Sequence, residues 1–447
     1  MLVKRDDLKC LLCVSLPDPT TGVALDIAVI GAGYVGLVTA AGLAHLGHRV
    51  RVGEADQARL AVLRSGGVPI YEDGLEHIVA ETTAEGRLTF HGDNNDAVVE
   101  AEVVVIALPT PPSADGSADL ALIDDALRRL AGALRPEAIV AMKSTVPVGS
   151  VRHFQSLLEE MGTTATVVSN PEFLREGSAV RDFFHPDRMV IGSRSEAAAE
   201  RLVEMYSGID APFVITDPAS SEMIKYASNA YLATRVTFAN ALANLCESVG
   251  ADAQAVLDGM GRDSRIGADF LRPGPGYGGS CFPKDTQALV SIADDAGYDF
   301  SLLRGVIAVN DLQFRRIVDK VSAAVTTLVG ARIGVWGLAF KAGTSDTRES
   351  PAVRIIDELL ARGAEVSAYD PVARIDGREG VVFANDAIAA VENADALVIA
   401  TEWPQFASVD LGEVHEAMRG SAIVDARNLL DPDRVRAYGI SYAGVGR

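Results

Sequence analysis

A chain of 447 residues exceeds one ordinary domain and predicts two or three. Hydrophobic residues make up 48 % of it, enough for sizeable cores, which excludes an intrinsically disordered protein. With 40 Lys and Arg against 61 Asp and Glu, the net charge of −21 opposes nucleic acid and anionic membranes. An anionic small molecule would then need local basic groups.

Cys10, Cys13, Cys246 and Cys281 are too few and too scattered for a disulfide framework. Cys10 and Cys13 form a CxxC with no second pair or His cluster, so no metal site is expected. No apolar run approaches the roughly 18 residues of a membrane span. CLLCVSL (10–16) is short and follows acidic as well as basic residues, a poor signal peptide. These features predict a reduced, cytoplasmic enzyme or binding protein.

Residues 1–24 lack periodicity and end in PDPTTG, an extension expected to be disordered. DIAVIGAGYVGLVTAAGLAHLGHRVRV (26–52) reads as strand, glycine turn, apolar helix and second strand. AEVVVIALPTPP (101–112) is a buried strand running into a proline-rich loop. EAIVAMKSTVPVGS (137–150) is strand, loop and helix start, and TATVVSNPEF (164–173) a strand with a polar C-terminal end. Strands alternating with helices imply a mainly parallel sheet covered on both faces. PASSEMIKYASNAYLATRVTFANALANLCESVG (218–250) reads as one long helix, N-capped by Ser220 or Ser221 and ended by Gly250. The region after it looks helical too, broken by a glycine loop at 274–281. Alternation returns with ARIGVWGLAFK (331–341), SPAVRIIDELLARG (350–363), AEVSAYDP (364–371), ADALVIATEW (394–403) and SAIVDARN (421–428). The predicted fold class is α/β: two doubly wound parallel-sheet domains joined by an all-helical one.

Three stretches carry chemistry. GAGYVG (31–36) matches GxGxxG between a strand and a helix: Gly31 permits the turn, Gly33 lets a pyrophosphate approach, and Gly36 lets helix and strand pack. Glu54 ends the second strand, where a carboxylate would bond a ribose 2′-hydroxyl and repel a 2′-phosphate, favouring NAD over NADP. Lys225 and Asn229 lie one turn apart on one face of the long helix and could both point at a single oxygen, or be a solvated Lys and an ordinary Asn. Cys281 follows four glycines in GPGYGGSCFPKD (274–285), with Lys284 and Asp285 close by. Nearby cations and backbone N–H groups would make the thiol nucleophilic; a small buried Cys under a turn is the other reading.

Together with PIYEDGLE (69–76), DGSADL (115–120), STVPVGS (144–150), NPEFLREG (170–177), KYASNAYLA (225–233) and FKAGTSDTRESPA (340–352), these motifs make the chain resemble the UDP-glucose/GDP-mannose dehydrogenase family over roughly residues 25–445. The resemblance implies an NAD-binding Rossmann domain at 25–216, a central helical dimerisation domain at 217–329 and a UDP-sugar-binding Rossmann-like domain at 330–447. The last domain's first turn is GLAFKAG rather than GxGxxG, so it need not hold a dinucleotide.

The implied reaction is a four-electron oxidation of a sugar C6 alcohol to a carboxylate with two NAD, on UDP-glucose or else on GDP-mannose or a UDP-N-acetylhexosamine. Asp285, through a water and with Lys225, is the implied base; Lys225 and Asn229 stabilise the oxyanion; Cys281 forms a thiohemiacetal and then a thioester; Thr145 and Glu172 position the hydrolytic water. Cofactor contacts are implied for Gly31, Gly33, Tyr34, Val35, Gly36, Glu54, Thr110, Thr145, Glu176, Lys284 and Arg348. Substrate contacts are implied for Glu172, Phe173, Leu174, Lys225, Asn229, Tyr277, Gly278, Phe282, Lys341 and Arg427, with Arg265 reaching across a homodimer or higher assembly. Two departures stand out. LPTPP (108–112) has Pro109 where many relatives have Gly, which removes a backbone donor near the cofactor, and residues 1–24 exceed the family's usual start. A nucleotide-sugar-binding regulator without turnover is the alternative from another class.

Overall fold

The structure, a computed structural model, describes residues 23–375 and 377–447. The extension and the Cys10/Cys13 pair therefore lie outside the described residues, apart from Val23 and Ala24.

The chain forms two compact units. Unit 1 comprises the residues up to Thr110 and Leu120–Glu222; unit 2 comprises Pro111–Asp119 and Met223–Arg447. Unit 1 is built on an eight-stranded sheet of β1 (Asp26–Ile30), β2 (Arg49–Gly53), β3 (Leu88–His91), β4 (Val103–Ile106), β5 (Ile139–Met142), β6 (Thr166–Ser169), β7 (Met189–Gly192) and β8 (Phe213–Thr216). The spatial order is β3-β2-β1-β4-β5-β6-β7-β8. Neighbours are parallel except β6 and β7, which meet antiparallel through Ser169 and Gly192. VVVI of β4 and IVAM of β5 are buried at every position, as a sheet covered on both faces requires. The order reverses between β1 and β4, and the crevice beyond the carboxyl ends of such a pair is where doubly wound sheets hold ligands.

Unit 2 carries a six-stranded parallel sheet of β9 (Arg332–Trp336), β10 (Glu365–Tyr369), β11 (Val381–Phe383), β12 (Ala396–Ile399), β13 (Ala422–Asp425) and β14 (Ser441–Ala443), in the order β11-β10-β9-β12-β13-β14. The region before it is helical, with helices Pro218–Val249, Ala253–Gly261, Phe282–Asp295 and Ser301–Ala324. Phe314, Ile317, Val318 and Val321 of the last helix share one core with Ile333 and Val335 of β9 and with Ile355, Ile356 and Leu359 of helix Pro351–Ala361. Burying side chains of this size stabilises by roughly 1.5–3 kcal/mol each before entropy is charged.

The long helix starts earlier than its serines suggest. Pro218 is its first residue, and the Asp217 carboxylate accepts from Ser220 N at 3.0 Å. Proline suits a first helical position, and Asp217 takes the capping role expected of Ser220 or Ser221. Ser221 is instead fully buried inside the helix, bonded to Ser169 Oγ at 2.8 Å.

Candidate active site

In unit 1 the glycine turn has the geometry of a phosphate cradle. Gly31 sits at φ +97°, and a Cβ there would lie 2.8 Å from Ala107 O. Gly36 packs directly on Gly31 O, leaving no room for a side chain, whereas a Cβ on Gly33 would meet nothing within 4 Å. Gly33 caps helix Tyr34–His45 without a side-chain bond, so the N-terminal N–H groups face the open space over it. The Glu54 carboxylate is buried beside the turn and accepts from Ala32 N (3.0 Å) and Asp56 N (2.7 Å), with Arg59 Nη1 at 3.1 Å. An open anion cradle with a carboxylate past the second strand fits a dinucleotide diphosphate and its ribose.

Other predicted cofactor residues gather around the same edge. Thr110 Oγ1 donates to Thr145 O at 2.9 Å, which fastens the Pro109 loop to the loop after β5. Ser144 Oγ donates to Leu108 O at 2.6 Å. Tyr34 OH accepts from Gly177 N at 2.8 Å, beside Glu176. Val35 follows Tyr34 in the first turn of its helix.

The NPEFLREG segment leaves β6 as a tightly held loop. Glu172 is buried and accepts from Leu174 N at 2.6 Å, and the Arg188 guanidinium lies 3.6 Å over the Phe173 ring. Burial holds the Arg188 pKa below its ordinary value. Lys143, also buried, donates to Asn170 Oδ1 (3.3 Å) and Tyr206 OH (3.1 Å), and lines a cavity with Glu172, Phe173 and Leu174. Sequence reasoning singled out neither Lys143 nor Arg188. In PIYEDGLE, Glu72 accepts from Gly177 N (2.7 Å) and Val180 N (3.3 Å), fixing the end of this loop.

In unit 2 two of the predicted catalytic groups, Asn229 and Asp285, are bonded to each other. Lys225, Asn229 and Asp285 are buried, Asp285 to 1 % exposure. Asp285 accepts from Asn229 Nδ2 at 2.6 Å and from Lys284 Nζ at 2.7 Å. So Lys284, expected at the cofactor, is here the ion-pair partner of Asp285. Cys281 is exposed and N-caps helix Phe282–Asp295, its carbonyl accepting from Asp285 N at 2.8 Å. Pro283 lies in the first turn, where its missing N–H is no loss. A thiol at a helix N-terminus sits where partial positive charge favours the thiolate.

The glycines before Cys281 let the loop dock on protein. A Cβ on Gly278 would lie 2.6 Å from Pro351 Cδ and closer still to Glu349 O. Gly279, at φ +83°, would place one 2.8 Å from the Phe340 ring, and its N–H donates to Arg348 O at 3.1 Å. Buried amides hold the other end of the loop: Asn240 Oδ1 accepts from Gly274 N (2.7 Å), Gln313 Nε2 donates to Gly274 O (2.9 Å) and Asn310 Oδ1 accepts from Tyr277 N (2.8 Å). None of the three amides was foreseen. The available signal was Asn310 and Gln313, one helical turn apart inside an apolar run.

The remaining predicted substrate residues are spread along unit 2. The rings of Tyr277 and Phe282 stack edge-on at 6.1 Å. Burial holds the Tyr277 phenol above its ordinary pKa. Lys341 Nζ lies 5.7 Å from the Phe340 ring. Arg427 donates to Ala400 O (2.8 Å) and Phe340 O (2.5 Å) and pairs with Glu402 at 3.0 Å. Arg265 is exposed and bonds Asp263 of its own chain, and Arg348 likewise bonds Asp346. The GLAFKAG turn bonds to a carboxylate of the chain itself: Asp370 Oδ2 accepts from Leu338 N (2.8 Å), Ala339 N (3.1 Å) and Trp403 Nε1 (3.0 Å). A pyrophosphate on this turn would have to displace a fully buried acid. Among the described residues no His, Cys, Asp and Glu cluster has metal-binding geometry, and no helix is long and apolar enough to cross a membrane.

A cofactor cradle at one doubly wound sheet, with a buried carboxylate held by an amide and a lysine in the other unit and an exposed cysteine one turn before it, fits a nicotinamide-dependent dehydrogenase. Domain profiles of the UDP-glucose/GDP-mannose dehydrogenase family match in sequence: the NAD binding domain at 25–210, the central domain at 219–312 and the UDP binding domain at 334–432. The chain belongs to this family, an oxidoreductase family whose cofactor is NAD. It is 43 % identical over 430 residues to UDP-glucose 6-dehydrogenase YwqF of Bacillus subtilis, covering 95 % of this chain and 98 % of that one. It is 44 % identical over 435 residues to UDP-glucose 6-dehydrogenase of Rhizobium meliloti, covering 95 % and 100 %. Among solved structures, a UDP-glucose dehydrogenase from Pyrobaculum islandicum aligns with TM-score 0.89 at 38 % identity, covering 96 % of this chain and 99 % of that one. The UDP-D-ManNAc dehydrogenase of Pyrococcus horikoshii aligns with TM-score 0.85 at 29 % identity, covering 94 % and 99 %.

Proposed function

We propose that the protein oxidises UDP-glucose to UDP-glucuronate in two steps, with Cys281 as covalent nucleophile in the second. The observation that carries this reading is the position of Cys281 at a helix N-terminus, four residues before a buried carboxylate held by Asn229 and Lys284. Identity above 40 % to UDP-glucose 6-dehydrogenases over nearly the whole chain supports the substrate.

NAD, when bound, supplies the hydride acceptor for both oxidations. In the first, Asp285, through a water and with Lys225, takes the proton of the C6 alcohol as the C6 hydride departs, leaving an aldehyde. Lys225 and Asn229 donate to the oxygen as charge builds on it. The Cys281 sulfur then bonds to C6, the carbonyl π bond opens onto oxygen, and Lys225 stabilises the alkoxide of the thiohemiacetal. Loss of the remaining C6 hydride re-forms C=O and gives a thioester. A water oriented by Thr145 and Glu172 attacks it; the C–S bond breaks, and the acid and the free thiol are released. The UDP part is assigned to residues 330–447 through Lys341 and Arg427, the cofactor to 25–216, and the central helices to 217–329.

The same reading makes the working form a dimer and places the reaction in the cytoplasm. Tyr231, Phe238 and Leu245 are exposed at seven-residue spacing along the long helix, a stripe suited to a second copy. Arg265, exposed in its own chain, is then available to a neighbour's substrate. A sibling substrate is the second reading, because the P. horikoshii neighbour is named for a UDP-N-acetylhexosamine. Steady-state NADH formation with a panel of UDP-glucose, GDP-mannose and UDP-N-acetylmannosamine tests the assignment. Highest kcat/KM on UDP-glucose is expected, and preference for another sugar replaces it.

A further inference from the structure

We infer that Asn310, supported by Gln313 and Asn240, is a positioning residue that sets the placement of Cys281. The inference rests on the proposed nucleophilic role of Cys281 and deepens it. The thiol follows a run of glycines, the sequence least able to hold a fixed backbone by itself. Asn310 supplies what the glycines lack. Its Oδ1 accepts from Tyr277 N at 2.8 Å, and its Nδ2 donates to Tyr277 O at 3.2 Å. One carboxamide thus satisfies both backbone groups of one loop residue, as a neighbouring strand would in a sheet.

The loop is shaped to admit this amide. Gly276 has φ +109°, and a Cβ there would lie 2.9 Å from Asn310 Oδ1. Two residues earlier the pattern repeats with separate amides: Asn240 Oδ1 accepts from Gly274 N and Gln313 Nε2 donates to Gly274 O. Gln313 is itself oriented by Asn244 Nδ2 on its Oε1 at 2.9 Å. Asn240, Asn310 and Gln313 are buried, so these bonds are shielded from water that would compete for them. A carboxamide offers an acceptor and a donor side by side, whereas an aspartate would turn a second acceptor toward Tyr277 O.

The bracket holds the loop four residues before the sulfur, and the helix that begins at Phe282 holds it just after. Between them Gly278 and Gly279 leave no space against Glu349, Pro351 and Phe340. Cys281 is therefore fixed from both sides. Attack on C6 needs this, since a displacement of about 1 Å in a reacting group can cost about 10²-fold in rate. The first oxidation makes no demand on the sulfur. A loosened bracket should therefore strand the aldehyde.

The test is turnover of UDP-glucose with NAD in the presence of hydroxylamine, which traps a released aldehyde as its oxime. UDP-glucuronate and oxime are measured by mass spectrometry, and folding by circular dichroism. Asn310→Ala should lower UDP-glucuronate formation about 10²-fold and give oxime that wild type does not. Asn310→Asp keeps the acceptor for Tyr277 N but sets a second acceptor against Tyr277 O, so it should show a comparable loss with the same partition toward oxime. It also carries the test if the alanine variant does not fold. Loss of activity without oxime would make the amide purely structural, and wild-type rates would remove its role; either overturns the inference. Cys281→Ala run alongside separates the two claims. If that variant still makes the acid, the nucleophile assignment fails; if it does not, and the Asn310 variants release no aldehyde, only the bracket fails.

Discussion

Gly278→Ala is the smallest change that should displace the Cys281 loop. A single methyl at this position would lie 2.6 Å from Pro351 Cδ and nearer to Glu349 O, where ordinary contact begins near 3.4 Å. Both neighbours resist: one is a ring fixed at the start of helix Pro351–Ala361, the other a backbone carbonyl at a residue with φ +48°. The loop or the 348–351 segment must therefore shift by about 1 Å. Overpacking of this kind costs about 1–3 kcal/mol of stability. A shift of that size three residues before the nucleophile should lower kcat by about 10²-fold. Gly132→Ala is the control, since a Cβ there meets nothing within 4 Å and its φ is an ordinary one. The assay is initial-rate NADH formation beside a urea unfolding curve for each variant. Gly278→Ala with the kcat and stability of the control would refute the view that these glycines exist to dock the loop on protein.

Glu54→Gln should raise the KM for NAD and narrow the preference over NADP, because the repelling carboxylate beside the 2′ position is gone; an unchanged cofactor ratio in steady-state kinetics would remove Glu54 from that role. His48 is buried, with Nδ1 accepting from Leu25 N at 3.1 Å and Nε2 bonded to Met205 O at 2.9 Å, and burial holds its pKa below the ordinary 6.5. Its neutral form belongs to the fold, so its contribution is complete above pH 6.5 and is lost as pH falls from there toward the lowered value. Urea midpoints should therefore decline through this window, and His48→Gln should flatten that decline; an equal decline in the variant would contradict it. Phe238→Asp in the exposed stripe should shift the protein toward monomer in analytical ultracentrifugation and lower activity with it, whereas an unchanged sedimentation coefficient would place the interface elsewhere.

The fold was legible where local pattern and tertiary need agree. VVVI and IVAM are strands because a sheet covered on both faces buries every side chain, and the run of apolar residues says so directly. The long helix was legible, but its start was not. The serines of PASSE are plausible caps, and only the structure shows that Asp217 bonds Ser220 N while Ser221 turns inward. In the catalytic array Cys281 and Asp285 stood out because four residues separate them. The Asn229 to Asp285 bond, 56 residues apart in sequence, needed the fold. The amide bracket lay further out of reach, since its bonds join residues 33 to 39 positions apart and an Asn or Gln within a helix gives no local sign of its partner. Nor does any local pattern announce that Gly278 and Gly279 lie against Glu349, Pro351 and Phe340, 61 to 73 residues further on.

The central claim is that the Cys281 sulfur bonds to C6 of UDP-glucose during the second oxidation. Cys281→Ala, incubated with UDP-glucose and NAD, tests it most directly, with UDP-glucuronate measured by mass spectrometry beside NADH absorbance. The account predicts several orders of magnitude less acid. It also predicts that the variant still binds UDP-glucose and NAD and still reduces added UDP-glucose-6-aldehyde with NADH. Formation of UDP-glucuronate at near wild-type rate would contradict it.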